Sequence, residues 1–421
     1  MDKIKKFIGI YQNFGLSYFL DLIIRKASFG KINLNIKPNF DKFLENNVSS
    51  DHSKKQIIFF VPWFTFGGTD IVNYTLLNNM DQTKFQFHLF STIRGANNIW
   101  FDKFKAINNE IFHLPDLISE DNYEELIKKY IKYVNAETFF VSNSSKGYDL
   151  IPFVRREFPQ IKIVDLLHGQ GGSKESGGFP EYSKNLDKYI DTRIAINNFL
   201  KNYLIEKYNI DPKKITVIQN AIEFSDKVEK GIYRSKQKVD ENEFVVTYLG
   251  RLAPEKHPEI IVKIANELVN NQGVGNISFF IGGDGPLFDE VSKEIRTLKL
   301  GNKIHLLGYY PNNEAVKILS DSNLLAVTSE MEGSPIVILE AMNLGVPVLA
   351  SKVGGIPEQV DDQITGVLIE FNENFVETAA QEILELKNNR EKLSSMGLKS
   401  KEKATTTFSV KEMISKYESS L

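Results

Sequence analysis

From Gln56 onward the chain alternates short runs of β-branched and aromatic residues with helix-length amphipathic segments, and it does so twice. In the first half the runs are QIIFFV, FQFHLF, EIFHL, TFFVS, KIVDLLH, TRIAI and ITVIQN; in the second they are FVVTYLG, ISFFIGG, KIHLLG, NLLAVTS, VPVLAS and GVLIE. Strands that alternate with helices pair in parallel, and the helices then cover both faces of the sheet. Each half is therefore expected to be a doubly wound α/β domain. Between the halves DKVEKGIYRSKQKVDENE, residues 226–243, breaks the pattern with charge and no apolar period and reads as a linker. A length of 421 residues exceeds what one hydrophobic core usually serves, in agreement with two domains.

The expected organisation is an N-terminal amphipathic helix and polar connector over 1–55, a first domain over 56–225, a linker over 226–241, a second domain over 242–406 and a C-terminal helix over 407–421. That last helix could pack on either domain. In the second domain, helices are expected to begin near Pro258, Pro286, Asn313, Pro335 and Pro357. Two such domains leave a cleft between the carboxyl ends of their strands, where ligands bind in this architecture.

Composition narrows the function. Hydrophobic content of 42% and charged content of 25% are those of a soluble globular protein, and a net charge of -3 speaks against a nucleic-acid partner. The absence of cysteine rules out thiolate metal sites and cysteine nucleophiles, and the six histidines form no His-x-x-x-His pair, so no metal or cofactor is expected. No apolar run approaches a membrane span and no secretory signal is read, which places the chain in the cytoplasm. Leu16, Phe19, Leu20, Ile23 and Ile24 fall on one helical face among lysines and Arg25. Such a helix either lies on the inner face of the cell membrane as a peripheral contact or packs on its own domain; packing is favoured.

Four loops in the second domain carry the chemistry, each at the end of a predicted strand. In YLGRLAPEKHPE, Gly250 closes a strand and Arg251 and Lys256 precede a helix, which suits a diphosphate; an Arg251–Glu255 surface pair accounts for the same residues equally well. In IGGDGPLFDE, Gly283 and Gly285 permit close backbone approach to a ligand. In SEMEGSPIVILEAMNLGVP, residues 329–347, Ser334 is the expected N-cap and Pro335 the first helical residue. Ile336, Val337 and Leu339 are expected to give this helix a buried face, so that Glu340 becomes a partly buried charge in need of a partner. The fourth loop is SKVGGIPEQV, where Gly354 and Gly355 precede a helix.

These motifs resemble the second domain of retaining family 4 glycosyltransferases (glycosyl transferases group 1) of the GT-B fold, in which two Rossmann-like domains face each other across a cleft. The likeness rests on G-R-L-x-x-E-K at Gly250 to Lys256, G-x-G-P at Gly283 to Pro286, E-G-S-P-x-V-x-L-E-A-M at Glu332 to Met342, G-x-P-V at Gly345 to Val348 and G-G-x-P-E at Gly354 to Glu358. It implies a metal-independent hexosyltransferase that moves a sugar from a nucleotide-diphosphate donor, UDP-sugar favoured, to a glycan or lipid-linked acceptor in bacterial surface polysaccharide or glycoconjugate synthesis. By the same resemblance Glu340 would accept hydrogen bonds from the ribose hydroxyls. Glu332 would face the donor sugar with backbone around Gly333, Ser334, Pro335 and Ile336, and Arg251 and Lys256 would hold the diphosphate. In the first domain Gly67 and Gly68 resemble the family's glycine loop beside the donor phosphates, and His168 its histidine near the reacting sugar. The glycine-rich loop GQGGSKESGGFPEY beyond His168 is expected at the cleft.

The chain departs from the family at His257, Ala221 and Gly169, where glycine, glycine and an acidic residue are usual. Two other functions stay open at this point: a GT-B nucleotide-sugar epimerase or hydrolase, and a non-catalytic sugar-nucleotide-binding partner of another transferase.

Overall fold

A computed structural model of the protein describes residues 38–421 apart from 66, 95–97, 109, 172–178 and 225–227. The expected N-terminal amphipathic helix that carries Leu16, Phe19, Leu20, Ile23 and Ile24, and the centre of the glycine-rich loop after His168, lie outside the described residues.

The first sheet has seven strands: β1 (Lys55–Val61), β2 (Phe85–Ser91), β3 (Ile111–His113), β4 (Thr138–Ser142), β5 (Lys162–Leu167), β6 (Thr192–Ala195) and β7 (Ile215–Val217). Their order is β3-β2-β1-β4-β5-β6-β7, and the pairings are parallel. The second sheet has six: β8 (Phe244–Leu249), β9 (Ile277–Gly282), β10 (Ile304–Gly308), β11 (Leu324–Val327), β12 (Val348–Ser351) and β13 (Gly366–Ile369), in the order β10-β9-β8-β11-β12-β13, again parallel. Each strand grew from one of the apolar runs. Most are buried on both faces, which explains why the runs read as continuous rather than alternating.

The helices that matter for the site are α1 (Phe40–Asn47), α2 (Gly68–Asn79), α3 (Phe101–Ile107), α4 (Tyr123–Val134), α5 (Ser145–Glu157), α6 (Pro180–Asn185) and α7 (Asn198–Tyr208) around the first sheet. Around the second run α8 (Ile232–Gln237), α9 (Pro258–Asn266), α10 (Phe288–Thr297), α11 (Asn312–Ser320), α12 (Ile336–Leu344), α13 (Phe375–Asn388) and α14 (Arg390–Thr407). The chain ends in α15 (Val410–Ser420).

Four expectations are corrected. The connector before Lys55 is not all loop: Phe40, Phe43 and Leu44 of α1 are buried in the first core. The expected linker contains α8, whose Tyr233 is buried with Val239 in the second domain. The guanidinium of Arg234 donates to the carbonyls of Asp240, Glu243 and Asp321 and to the Asn323 side chain. That segment lacks an apolar period because a single tyrosine and a forked arginine anchor it. Helix α10 begins at Phe288, two residues after Pro286, which sits in the preceding turn. Val337 is half-buried, and Ile338 takes its expected place in the core.

The choice left open for the last helix is settled in favour of the first domain. Met413, Ile414, Tyr417 and Leu421 join the first core, the Tyr417 ring lies 6.4 Å from that of Phe140, and Thr138 Oγ1 donates to the Leu421 carbonyl at 3.3 Å. The chain thus crosses back after completing the second domain. Among the described residues no helix is long and apolar enough to cross a membrane.

Candidate active site

In each sheet the strand order reverses beside the first strand of its set, between β1 and β4 and between β8 and β11, and this opens a crevice outside the strands' carboxyl ends. The two crevices face each other. From the first domain α2 follows β1 after a short loop, with Gly67 at its N-cap and no side-chain capping hydrogen bond. From the second, α12 begins at Ile336. Its N-cap is Pro335, one residue later than expected, so the hydroxyl of Ser334 does not cap it and no side chain does. The two starts converge: a Cβ at Gly68 would lie 3.3 Å from Ile336 Cγ1. An uncapped helix start presents backbone N–H groups and the positive end of the helix dipole. Two of them meeting across a cleft can offer donors to one anion from both domains.

Beside this point Lys256 Nζ donates to Glu332 Oε1 at 2.7 Å, and Ser329 Oγ donates to the same oxygen at 2.7 Å. Among the described residues Oε2 of Glu332 makes no hydrogen bond, which leaves it open to a ligand hydroxyl. Arg251 is placed differently. Its Nη2 meets Glu255 Oε1 at 2.7 Å on a side chain that is 60% exposed, the surface pair that the one-turn spacing also allowed. Gly250 ends β8 beneath the ring of Tyr248.

His257 explains the glycine usual at its position. Its φ is +45°, in the left-handed region that side chains disfavour by roughly 1 kcal/mol or more. Hydrogen bonds to Glu259 at 2.9 Å and Glu330 at 3.3 Å hold it there. Burial lowers its pKa, but the two carboxylates outweigh burial and leave it above the ordinary histidine value.

Glu340 lies one turn into α12, is 8% exposed, and has no hydrogen bond to its carboxyl among the described residues. Burial raises its pKa to about 8, so the carboxyl is held protonated at neutral pH. Among the described residues no side chain supplies the partner that the sequence demanded.

Across the cleft His168 closes β5, its Nε2 3.0 Å from Ser142 Oγ at the end of β4. Burial lowers its pKa to about 4, so the ring is neutral at physiological pH. Its carbonyl sets the domain spacing: a Cβ on Gly333 would lie 2.1 Å from His168 O, so only glycine permits this approach. In the second domain Gly283, with φ +140°, is equally constrained, since a Cβ there would lie 1.8 Å from the Gly250 carbonyl. Gly285 adjoins the Leu252 carbonyl in the same way. These two glycines pack the second loop onto the first.

Sequence reasoning missed three contributors. Asp70, in the first turn of α2, is 5% exposed with Thr65 Oγ1 at 3.2 Å, and burial raises its pKa to about 7. Asn197 Nδ2 donates to the Gly333 carbonyl at 2.6 Å. The carboxylate of Glu358, in the helical turn Ile356–Gln359, accepts from Asn198 N, Asn198 Nδ2 and Phe199 N at 2.7–3.0 Å and so caps α7 of the other domain. An acidic first-turn residue after Gly-Gly was the available signal for Asp70, and the G-G-x-P-E motif that ends at Glu358 was the signal for that residue; Asn197 acts across the domain boundary and left none.

Two cavities stand out among the described residues. One of about 170 Å³ borders Glu340 between α2, α3 and α12. A larger one of about 350 Å³ lies at the opposite end of the first sheet, against Asp51, Lys54 and Glu110. The larger is lined by none of the site residues described above, and of those residues Glu340 borders the smaller. Among the described residues no three His, Asp or Glu side chains cluster as metal ligands would.

With this geometry in place, comparison with known proteins is informative. Residues 229–403 match the family model described as glycosyl transferases group 1. The chain is 32% identical over 185 residues to the UDP-Gal:alpha-D-GlcNAc-diphosphoundecaprenol alpha-1,3-galactosyltransferase of Escherichia coli, covering 43% of this chain and 47% of that one. It is 26% identical over 266 residues to the N-acetyl-alpha-D-glucosaminyl L-malate synthase of Bacillus anthracis, covering 62% of this chain and 67% of that one. The matches to the first curated relatives span less than half of those proteins' lengths. Among solved structures, Anabaena HepE in complex with UDP and glucose superposes with a TM-score of 0.72 at 19% identity, over 87% of this chain and 99% of that one. At that identity the likeness establishes the fold.

Proposed function

We propose, on the premise that residues 229–403 belong to glycosyl transferases group 1 and that the two sheets form a GT-B fold, that this chain is a retaining, metal-independent glycosyltransferase. It moves a sugar from a nucleotide-diphosphate donor, UDP-sugar favoured, to a glycan or lipid-linked acceptor in bacterial surface polysaccharide or glycoconjugate assembly. The observation that carries this is the convergence of two uncapped helix starts, one from each domain, beside Lys256 and Glu332. UDP and a diphosphoundecaprenol acceptor in the name of the Escherichia coli relative support the donor and acceptor classes.

In this mechanism the donor diphosphate lies between the starts of α2 and α12, where backbone N–H groups of Gly68 and Ile336 meet its oxygens. Lys256, held in place by Glu332, turns its remaining N–H bonds to the phosphate and stabilises the charge that develops as the bond from the anomeric carbon to phosphate oxygen breaks. Arg251 reaches the same anion by exchanging Glu255 for it. The acceptor oxygen bonds to the anomeric carbon on the face the phosphate leaves, and its proton passes to the departing phosphate oxygen. Glu332 Oε2 accepts from a hydroxyl of the donor sugar. His168, neutral, donates to the sugar from the opposite wall. Glu340 accepts from the ribose hydroxyls. The chain works in the cytoplasm, at the inner membrane face when its acceptor is lipid-linked.

Thermal unfolding against a panel of nucleotide sugars is the test, because a ligand that binds only the fold raises its apparent stability. UDP-sugars are expected to give the largest shift, and transfer to acceptor to survive a chelator with the donor's anomeric configuration kept. A shift with a nicotinamide dinucleotide and none with any nucleotide sugar would overturn the assignment.

A further inference from the structure

His257 takes the left-handed conformation that glycine adopts without cost, and it makes two contacts that glycine could not. Its Nδ1 lies 2.9 Å from Oε1 of Glu259, in the first turn of α9, and its Nε2 lies 3.3 Å from Oε2 of Glu330, in the loop that joins β11 to α12. Phe371, just beyond β13, packs on the ring with centroids 5.2 Å apart and brings no charge. Glu259 and Glu330 are thus the charged groups that face the imidazole from the elements packed against it.

Both contacts run from a ring nitrogen to a carboxylate oxygen. A neutral imidazole has one N–H and serves only one of them, setting a lone pair against the other carboxylate; an imidazolium donates to both. The geometry therefore calls for a charged ring. Burial opposes that charge, and the two carboxylates outweigh burial and hold the ring above the ordinary histidine value. When the proton is lost, the bond to Glu330 is the one to fail. It is the longer of the two and reaches the more exposed carboxylate, 65% against 25%.

The site depends on that bond through neighbouring residues. Lys256 precedes His257, and its Nζ reaches Glu332, two residues beyond Glu330. The two side chains are parallel ties between the β8–α9 loop and the β11–α12 loop. Beside them Thr328 Oγ1 shares its proton between the carbonyls of Lys256 at 3.1 Å and His257 at 3.0 Å, and Glu330 N donates to the Glu255 carbonyl at 3.1 Å. Among these ties the imidazole is the group that changes charge near neutral pH.

We propose that His257 is a positioning residue: its imidazolium, bridging Glu259 and Glu330, holds the two loops in the register that sets Lys256 against Glu332, and sugar transfer slows when the bridge opens at alkaline pH. The inference rests on the donor reading given above, in which Lys256 stabilises the departing phosphate.

Turnover at saturating donor, followed from about pH 6 to about pH 9, tests it. The ratio of the parent kcat to that of His257→Gly at each pH cancels the titration of other groups, Glu340 included. It is expected to be about tenfold at the acid end, the scale of one charge-assisted hydrogen bond, and to fall toward one as the ring loses its proton. His257→Arg keeps its charge and a fork of donors at every pH and should show no such fall. Glu330→Gln, on an exposed side chain, removes one of the two carboxylates that favour the charged ring and should move the midpoint of the fall to lower pH. Thermal unfolding confirms that the variants fold. A ratio that stays flat with pH, or a midpoint that Glu330→Gln leaves in place, overturns the inference while the donor reading stands. Failure of the unaltered chain to transfer from any nucleotide sugar overturns the donor reading, and the inference with it.

Discussion

Glu340→Gln should act in opposite directions on the empty and the occupied protein. With a pKa of about 8 in the fold against 4.5 in the unfolded chain, Glu340 keeps its proton between those values while the unfolded chain has lost its own. The unfolded state therefore binds fewer protons in that window, and stability falls as pH rises through it, by about 1.4 kcal/mol per unit. By neutral pH the accumulated loss is about 3 kcal/mol; near pH 5 it is under about 1 kcal/mol. Glutamine has nearly the same shape and no proton to lose. The variant should be more stable than the parent near pH 7, by about 2 kcal/mol once its own unmet amide is allowed for, and close to it near pH 5.

Donor binding should move the other way. Ribose hydroxyls donating to an ionised carboxylate contribute roughly 1.5–3 kcal/mol each, so the variant should lose at least about tenfold in nucleoside diphosphate affinity. Parent affinity should rise with pH toward 8 and variant affinity stay flat. Denaturant unfolding at two pH values, with calorimetry of UDP binding, measures both. A variant less stable at pH 7 with an unchanged pH slope would refute the buried neutral carboxyl; unchanged affinity would refute the ribose contact.

Three further outcomes follow from the geometry. Gly333→Ala forces a Cβ to within 2.1 Å of the His168 carbonyl, so the domains must part there; a displacement near 1 Å is expected to lower turnover about 100-fold, read by steady-state kinetics with the fold checked by thermal unfolding. Glu358→Ala removes the carboxylate that accepts from the N–H groups of Asn198 and Phe199 at the start of α7, whose Asn197 cap remains, and with it a link between the domains; it should lower stability by about 1 kcal/mol and increase the radius of gyration in X-ray scattering, and an unchanged radius would show that the link does not hold the cleft. Lys256→Met leaves Glu332 without its cation and should lower the rate about 100-fold to 1000-fold, with smaller loss in donor affinity than Glu340→Gln.

Much of the fold was written locally. Every strand of both sheets began as a contiguous apolar run, because a strand buried on both faces needs nothing else to declare itself. Parallel pairing followed from the intervening helices, and parallel pairing sends every strand's carboxyl end to one edge. That is why the loops at Gly250 and Glu332 could be expected at one edge of the second sheet without coordinates, while Gly67, on the other sheet, was joined to them by the family resemblance.

Tertiary structure decided whatever depends on a second segment. Whether Arg251 turns to a ligand or to Glu255 is a choice between partners of similar worth, which spacing alone leaves balanced. The Lys256–Glu332 pair, the cap that Glu358 places on α7 and the Asn197 bond to Gly333 join residues far apart in the chain, and no periodicity encodes them. The return of α15 to the first domain was open for the same reason: its apolar face fits a core, and only packing chooses which. Sequence determined the two domains, the shared edge of each sheet and the buried carboxyl of Glu340, since strand burial and helix period are properties of neighbouring residues. How closely the domains meet is a property of their docking and appears only when the chain is folded.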